Sequence, residues 1–381
     1  MEQKRYWLAS VIAVAASCAG AGQSWAYVQT NLVSDVAGLA TITNPLLVNP
    51  WGMARSATSP FWTSNQGNST STLYAVTGTT TVSQVTSVNA QGFVDIPTTA
   101  GGPPQGPTGQ VNNANTSSFQ LTPGMASTSA HFIFANLNGT ISAWAGGLTS
   151  TVKVTTPGAV YTGLAINSAQ TRIYAARAGG IDVFDSNFTP VSLGAGAFDD
   201  SPPGLVPFNV QNVGGKLYVT YAPSGRPNQI AATAGQGVVD VYDENGNLLQ
   251  RLVTGSQLAA PWGVALAPSG FGPFGGDLLV GNFSFALSEI NAFNPTTGAF
   301  VGAIPIDAGA GQTPGGLWDI MFGSGAGNGG DANTLYFNDG IDSETHGLFA
   351  ALTVPEPSSI ALLGVPIALL SLRRVRSRRR A

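Results

Sequence analysis

Acidic side chains and a histidine are concentrated between residues 338 and 346. This stretch contains Asp339, Asp342 and Glu344 together with His346, which is one of only two histidines in the 381 residues. Closely spaced carboxylates can bind Ca²⁺, because this hard cation prefers oxygen ligands. Glu344 and His346 could also act as a catalytic pair that transfers protons. The alternative interpretation is a solvated loop between two strands.

Amide side chains at the ends of other predicted strands extend the metal hypothesis. Asn282 follows an apolar run like the one before Asp339, and Asn65 and Asn136 end two further runs of this kind. Such oxygens could bind Ca²⁺ in a common channel, so Asn282, Asp339 and Asp342 are the candidate metal ligands. Turn chemistry explains Asn at a strand end equally well, since its side chain bonds the local backbone.

Large aromatic residues occupy one equivalent position in four similar segments of the chain. These residues are Trp51, Phe208, Trp262 and Trp318. Aromatic rings that gather at the mouth of a channel can stack on sugar rings or other flat ligands, which makes these four the candidate ligand-binding residues. The competing interpretation is packing, because large rings also fill the gaps between neighbouring sheets.

Complete catalytic motifs are absent from the sequence. It contains no Gly-Xaa-Ser-Xaa-Gly motif followed by Asp and His, no His-Glu-Xaa-Xaa-His and no phosphate-binding Gly-Lys-Ser/Thr. His131 and His346 are the only histidines and Cys18 is the only cysteine, so a zinc hydrolase would lack ligands. These absences favour a binding or structural protein over an enzyme.

One strand pattern recurs along the body of the chain. Residues 181–185 and 239–243 have the same Ile/Val-Asp-Val-Phe/Tyr-Asp sequence, and looser copies follow the same kind of second strand elsewhere. The looser copies, which bring the number to six, are at residues 73–76, 141–144, 290–293 and 348–351. A repeat of roughly 40 to 70 residues with four strands in each copy is typical of a β-propeller. We therefore predict an all-β, NHL-like six-bladed propeller with four-stranded antiparallel blades over residues 27–353.

The propeller prediction extends to loops and to ring closure. The inner strand of blade two is weakest in the sequence, and we place it near residues 119–121. Residues 97–118 and 222–235 are rich in Gly, Pro, Asn, Thr and Ala, which predicts surface insertions. The early strand at residues 30–33 has no blade of its own, so we expect it to pair into the last blade and close the ring.

Residues 1–26 have the features of a secretory signal peptide. Lys4 and Arg5 precede an apolar run, and Ser24-Trp25-Ala26 provides small residues at both recognition positions of signal peptidase. We expect cleavage after Ala26 and export of the mature protein. Because Cys18 lies in the removed segment, disulfides cannot stabilise what remains.

The C-terminal residues 354–381 contain a Pro355-Glu356-Pro357 motif, an apolar run and six arginines, in that order. The run at 358–372 is shorter than the roughly 20 residues of a stable membrane-spanning helix, which fits a transient membrane stop. The arginines would stay on the cytoplasmic side.

This ending resembles the PEP-CTERM sorting signal of Gram-negative bacteria. The resemblance implies that a membrane protease-transpeptidase, the exosortase, recognises the Pro-Glu-Pro motif. It would then release the protein toward the cell surface or extracellular matrix. A plain single-pass membrane anchor is the alternative.

The body of the chain is acidic once the two ends are set aside. Between Tyr27 and Thr353, 7 Lys and Arg face 17 Asp and Glu, which leaves a net charge of −10. A body with no basic face cannot bind nucleic acid through counterion release. We therefore expect no nucleic-acid partner, and we expect a monomer.

Residues 27–353 also resemble an uncharacterised group of propeller proteins that carry the PEP-CTERM tail. The resemblance rests on segments such as Asn49-Pro50-Trp51-Gly52, Pro207-Phe208-Asn209-Val210 and Ala260-Pro261-Trp262-Gly263. It implies the propeller fold but no activity. Our leading expectation is an exported binding or structural protein of the cell surface or matrix, with polysaccharide or matrix components as partners. The alternative is a Ca²⁺-dependent, lactonase-like hydrolase or lyase with its site in the central channel.

The sorting hypothesis predicts a change of location. Replacing Pro355, Glu356 and Pro357 with alanine should leave the protein in the inner membrane, because the sorting protease would no longer recognise it. Membrane fractionation and surface labelling measure this, with alanines at the neighbouring Ser358 and Ser359 as the control. Unaltered surface delivery of the triple variant would reject the sorting role.

Overall fold

The computed structural model describes residues 27–98 and 105–355, which form six antiparallel sheets around a common axis. The protein is therefore a six-bladed β-propeller, and the fold prediction is confirmed. The proposed signal peptide with Ala26, and the tail with Glu356 and Pro357, lie outside the described residues. Within the described residues, no helix is long and apolar enough to cross a membrane.

The first half of the chain forms an initial strand pair and blades one to three. The pair is β1 (Val28–Ser34) with the short parallel strand β2 (Ile42–Thr43). Blade one consists of β3 (Pro50–Ala54), β4 (Phe61–Asn65), β5 (Thr70–Thr77) and β6 (Thr81–Gln84), with β7 (Val94–Asp95) also paired to β5. Blade two consists of β8 (Pro107–Asn112), β9 (Phe132–Asn136), β10 (Thr140–Trp144) and β11 (Thr151–Thr155). Blade three consists of β12 (Gly163–Ile166), β13 (Arg172–Arg177) and β14 (Gly180–Asp185), and a single bridge from Phe184 to Pro190 replaces its outer strand.

The second half forms blades four to six. Blade four consists of β15 (Leu205–Val213), β16 (Lys216–Pro223), β17 (Val238–Tyr242) and β18 (Leu248–Thr254). The helix α1 (Arg226–Ile230) lies between β16 and β17. Blade five consists of β19 (Pro261–Leu266), β20 (Leu278–Asn282), β21 (Glu289–Phe293) and β22 (Phe300–Pro305). Blade six consists of β23 (Leu317–Phe322), β24 (Leu335–Asp339) and β25 (Leu348–Thr353), and the short turn α2 (Ile341–Glu344) follows β24. Three 3₁₀ turns complete the described elements, at Gln66–Asn68, Ala126–Thr128 and Gly272–Phe274.

Ring closure is made by the N-terminal strand, as predicted. Strand β1 pairs antiparallel with β25 and supplies the outer strand of blade six. The Ser34 hydroxyl donates to the Gly347 carbonyl at 2.7 Å, and Asp35 accepts from the Gly347 N–H at 2.8 Å. Because residues 312 or more apart in sequence bond here, the two ends of the described chain stabilise each other.

The six inner strands approach one another closely around the axis. At one equivalent position four blades have glycine, and an added Cβ at Gly52 would lie 2.6 Å from the Thr108 carbonyl oxygen of the next blade. At Gly263 the corresponding distance to the Trp318 carbonyl oxygen is 2.5 Å. We call this ring of contacts the waist. The register shifts beside it in five blades, and such bulges bend a strand locally.

The prediction for the inner strand of blade two was wrong. Phe119 is buried in a loop, and the inner strand is Pro107–Asn112, inside the segment that was interpreted as a surface insertion. This strand reads Pro-Thr-Gly-Gln-Val-Asn, so it lacks the apolar alternation of a half-buried strand. It borders the channel, where polar and small side chains are accommodated. The Pro-Xaa-Gly shared with Pro50-Trp51-Gly52 and Pro261-Trp262-Gly263 is the signal that could have located it.

The close packing at the waist predicts that one added methyl group destabilises the folded protein. Gly52→Ala should lower the free energy of unfolding by about 1 to 3 kcal/mol, because the new Cβ meets backbone atoms that cannot move independently. Gly194→Ala is the matched control, since an added Cβ there meets nothing within 4 Å. Urea unfolding of the two variants measures the difference. Equal midpoints would show that the inner strands are not tightly packed.

Candidate ligand-binding site

The four predicted aromatic residues come together at one end of the channel. The rings of Trp51 and Trp318 stack with their centroids 3.4 Å apart, and Trp262 lies edge-on to both, at 6.3 and 5.6 Å. Phe208 lies 5.9 Å from Trp318, and Phe283 stacks on the same indole at 4.3 Å. We call these five residues the aromatic cluster.

The aromatic cluster is buried, and its ring faces are not exposed to solvent. Its members are 0 to 4% exposed, which is the burial of a core. Four of the five occupy equivalent places in adjoining blades, where large rings fill the space above the waist. The edge of the cluster, not a free ring face, is therefore what a ligand would contact.

Hydrogen bonding distinguishes the three indoles. Trp262 Nε1 donates to the Thr162 carbonyl at 2.9 Å, and Trp318 Nε1 donates to Asn49 Oδ1 at 3.1 Å. Trp51 Nε1 is buried and has no hydrogen-bond partner among the described residues. A buried donor without a partner is costly, so this N–H is available to a ligand or an ordered water.

A loop of blade four covers the aromatic cluster with a cation. The Arg226 guanidinium at the start of α1 lies 4.3 Å from the centre of the Phe283 ring and 5.5 Å from that of Trp318. It forms an ion pair with Glu344, which belongs to blade six. Burial lowers the pKa of Arg226 to about 10, which still leaves it charged at neutral pH. The segment 222–235, predicted as a surface insertion, thus also packs onto the channel mouth.

Glu344 is presented by an unusual backbone conformation. Asp342, Ser343 and Glu344 have φ values of 53°, 59° and 65°, so three consecutive residues other than glycine are left-handed. The Asp342 N–H and carboxylate bond to Thr313, at 3.0 and 3.2 Å. Left-handed residues of this kind persist only where surrounding contacts hold them, and they are concentrated at functional sites.

A cavity of about 640 Å³ lies at this mouth of the channel. Its lining includes Trp51 and Phe208 of the aromatic cluster and the Arg226–Glu344 pair. The other lining residues are all uncharged, and most of them are apolar: Asn49, Gln66, Leu137, Val160, Thr162, Ala178, Val206, Pro207, Gly225 and Gln229. We call this cavity the mouth pocket. Its volume is within the range of pockets that bind small organic molecules.

His346, the predicted partner of Glu344, has a different role. Its Nδ1 lies 2.7 Å from Asp35 Oδ2, at the junction between β1 and blade six. Glu344 is paired with Arg226 instead. The structure therefore gives the two residues of the candidate catalytic pair separate partners.

The candidate metal ligands also make separate contacts. Asn282 accepts from the Ala259 N–H at 2.9 Å and donates to the Gln257 carbonyl at 2.8 Å, both in the segment that connects blade four to blade five. Asp339 is fully buried, its carboxylate oxygens have no partner among the described residues, and burial raises its pKa well above the usual value. In residues 27–98 and 105–355, no group of three or more His, Cys, Asp or Glu could hold a metal ion.

The remaining strand-end amides bond locally. Asn65 Nδ2 donates to the hydroxyls of Thr70 and Thr72, both at 3.0 Å. Asn136 Nδ2 donates to the Thr140 hydroxyl at 3.1 Å. Asn136 Nδ2 also donates to the Thr140 carbonyl at 3.2 Å, as the turn interpretation predicts, whereas the contacts of Asn65 are to side-chain hydroxyls.

A buried carboxylate at the waist connects four blades on the side that faces away from the mouth pocket. Asp319 Oδ2 accepts from the Met53 N–H at 2.7 Å, and Oδ1 accepts from Gln211 Nε2 at 3.2 Å. Gln211 Oε1 in turn accepts from the Val264 N–H at 2.9 Å. Burial raises the pKa of Asp319 to about 7, although these hydrogen bonds act in the opposite direction. Asp319 lines a second cavity of about 290 Å³ there.

Sequence reasoning missed Arg226, Asp319 and Asp35 as site or network residues. Arg226 and Asp35 lie in connecting segments, and their partners are 118 and 311 residues away. Asp319 could have been found, because it replaces the waist glycine in the inner-strand pattern of Trp51-Gly52 and Trp262-Gly263.

Comparisons with known proteins find similarity without an assigned activity. No protein-family model matches the chain. The uncharacterised protein R648 of Acanthamoeba polyphaga mimivirus is 28% identical over 336 residues, which are 84% of this chain and 78% of the viral protein. The uncharacterised protein L690 of the same virus is 27% identical over 336 residues, 84% of each chain. A crystal structure of a structural-genomics protein of unknown function from Bacteroides thetaiotaomicron has a TM-score of 0.48 and 10% identity, and the similarity covers 86% of this chain and 76% of that one.

The raised pKa of Asp319 predicts a pH dependence of stability. The folded protein binds this proton up to about pH 7, whereas the unfolded chain releases it near the ordinary value of 3.8. Relative to low pH, this carboxyl group therefore lowers the free energy of unfolding as the pH rises from about 4 to about 7, by about 4 kcal/mol at most.

Asp319→Asn should flatten this slope, because the substituted side chain does not titrate. Denaturant unfolding between pH 4 and 8 measures it. Asp339, whose pKa is also raised, remains in both proteins and gives a residual slope of the same sign. Identical pH profiles for the two proteins would contradict the assignment.

Proposed function

We propose that the protein is an exported, surface-sorted propeller that binds a small organic ligand in the mouth pocket. The observation that carries the binding proposal is the buried and unpartnered N–H of Trp51, a residue that lines a largely apolar cavity. A native interior seldom leaves such a donor without a partner. A ligand that accepts this hydrogen bond while it covers the apolar wall would satisfy both features.

The export and sorting parts of the proposal are supported by the sequence. They rest on the signal-peptide features of residues 1–26 and on the PEP-CTERM resemblance of residues 354–381. The partners during export would be signal peptidase and an exosortase. At the cell surface or in the matrix, the protein would act by binding rather than by catalysis.

The binding proposal predicts that one added ring closes the site. Ala178→Phe should weaken binding of the neutral fluorescent dye prodan by about tenfold or more, because the side chain would occupy the pocket. Ala178 is exposed and lines the mouth pocket, so its replacement leaves the core unchanged. Dye emission titrated with protein measures the affinity.

The matched control is Ala303→Phe, which places the same ring at an exposed position on β22, outside the pocket. The control should bind prodan as the unchanged protein does. Equal loss of affinity in both variants, or no loss in either, would contradict the location of the site.

A further inference from the structure

The mouth pocket has no net charge. Arg226 and Glu344 are the only charged residues among those that line it in the described part of the chain, and they are paired with each other. The side chain of Glu344 is 12% exposed and that of Arg226 is 34% exposed, so the pair is only partly hydrated. An anionic ligand would be attracted by Arg226 but repelled by Glu344, and the reverse holds for a cation, so neither would gain a net attraction to offset the loss of its hydration. The electrostatics therefore favour an uncharged ligand.

Three buried hydrogen-bonding atoms on residues that line the pocket have no partner among the described residues. Trp51 Nε1 and Arg226 Nη1 are buried donors without partners among the described residues, and Glu344 Oε1 is a buried acceptor without one. An indole N–H and a guanidinium N–H can only donate, whereas an ionised carboxylate can only accept. A ligand that satisfies all three must therefore present acceptor and donor groups together. A carboxamide does this, since its oxygen can accept two hydrogen bonds and its N–H can donate one.

The rest of the cavity requires an apolar body. Leu137, Val160, Val206 and Pro207 line it together with the ring of Phe208. A free sugar would place several hydroxyls against these side chains without partners, which costs binding energy. A hydrocarbon or aromatic body of drug-like size would instead remove apolar surface from water.

We infer that the ligand of the mouth pocket is a small amphipathic molecule with an apolar body and an uncharged head of the carboxamide type. Its carbonyl oxygen accepts from Trp51 and Arg226, and its N–H donates to Glu344. This inference rests on the proposed function, because it specifies the ligand of the same site. The left-handed turn at 342–344 holds the acceptor Glu344 in place, and the aromatic cluster beneath Arg226 holds that donor in place.

The test uses three probes with one body and different heads. Calorimetric titration compares para-butylbenzamide with para-butylbenzoate and with para-butylbenzylammonium. The unchanged protein should bind the amide about tenfold more tightly than either ion. Ala178→Phe should abolish this binding and Ala303→Phe should preserve it, which ties the signal to the pocket.

Glu344→Gln provides a change of preference that a merely structural role would not produce. Without its counter-charge, Arg226 should attract the benzoate, so benzoate affinity should rise about tenfold in this variant. The unfolding midpoint of Glu344→Gln is measured in parallel. If the variant does not fold, the three-probe comparison on the unchanged protein still decides.

Different results refute the proposed ligand and the proposed binding function. If either ion binds the unchanged protein as tightly as the amide, the uncharged head is refuted and the binding function stands. If a neutral oligosaccharide such as cellotetraose binds and is lost in Ala178→Phe while the amide does not bind, the apolar body is refuted. If no probe, including prodan, binds in a manner sensitive to Ala178→Phe, the proposed function itself fails.

Discussion

The close approach of six inner strands around the axis is the constraint on which the structure depends. At the waist there is no room for a Cβ in four blades, where the residues are Gly52, Gly109, Gly163 and Gly263. The other two blades use polar residues that bond to neighbouring backbone: Asn209 Nδ2 donates to the Trp262 carbonyl at 2.9 Å, and Asp319 accepts from Met53. The waist therefore lies between the mouth pocket on one side and the second cavity, which Asp319 lines, on the other.

The chemistry of the mouth pocket follows from this separation. Large rings one position before the waist can pack only toward the mouth, and their burial leaves one indole N–H without a partner. Arg226 covers the cluster because its guanidinium is attracted to ring faces and needs a counter-charge, which Glu344 provides. The pairing offsets part of the desolvation cost that each ion carries in this partly buried site.

The repeated strand pattern made the fold predictable, whereas the residues that loops bring to the mouth pocket could not be predicted from it. The second and third strands contain an apolar run in most blades, so the copies at residues 181–185 and 239–243 indicate the period, and the alignment of the copies predicts that Trp51, Trp262 and Trp318 meet. The inner strand of blade two was missed because a channel-lining strand lacks that apolar pattern. Arg226 was missed because it comes from a loop, and loop positions are set by tertiary contacts that no local pattern encodes.

The indole N–H of Trp51 gives the most direct test that the mouth pocket is a binding site above a closed aromatic cluster. The measurement is a ¹⁵N–¹H spectrum of protein labelled at tryptophan, recorded while para-butylbenzamide is added, with the Trp51 signal assigned through Trp51→Phe. The account predicts that the Trp51 indole signal moves strongly on saturation while that of Trp262, already bonded to Thr162, moves little. A Trp51 signal that stays in place while the probe binds would contradict it.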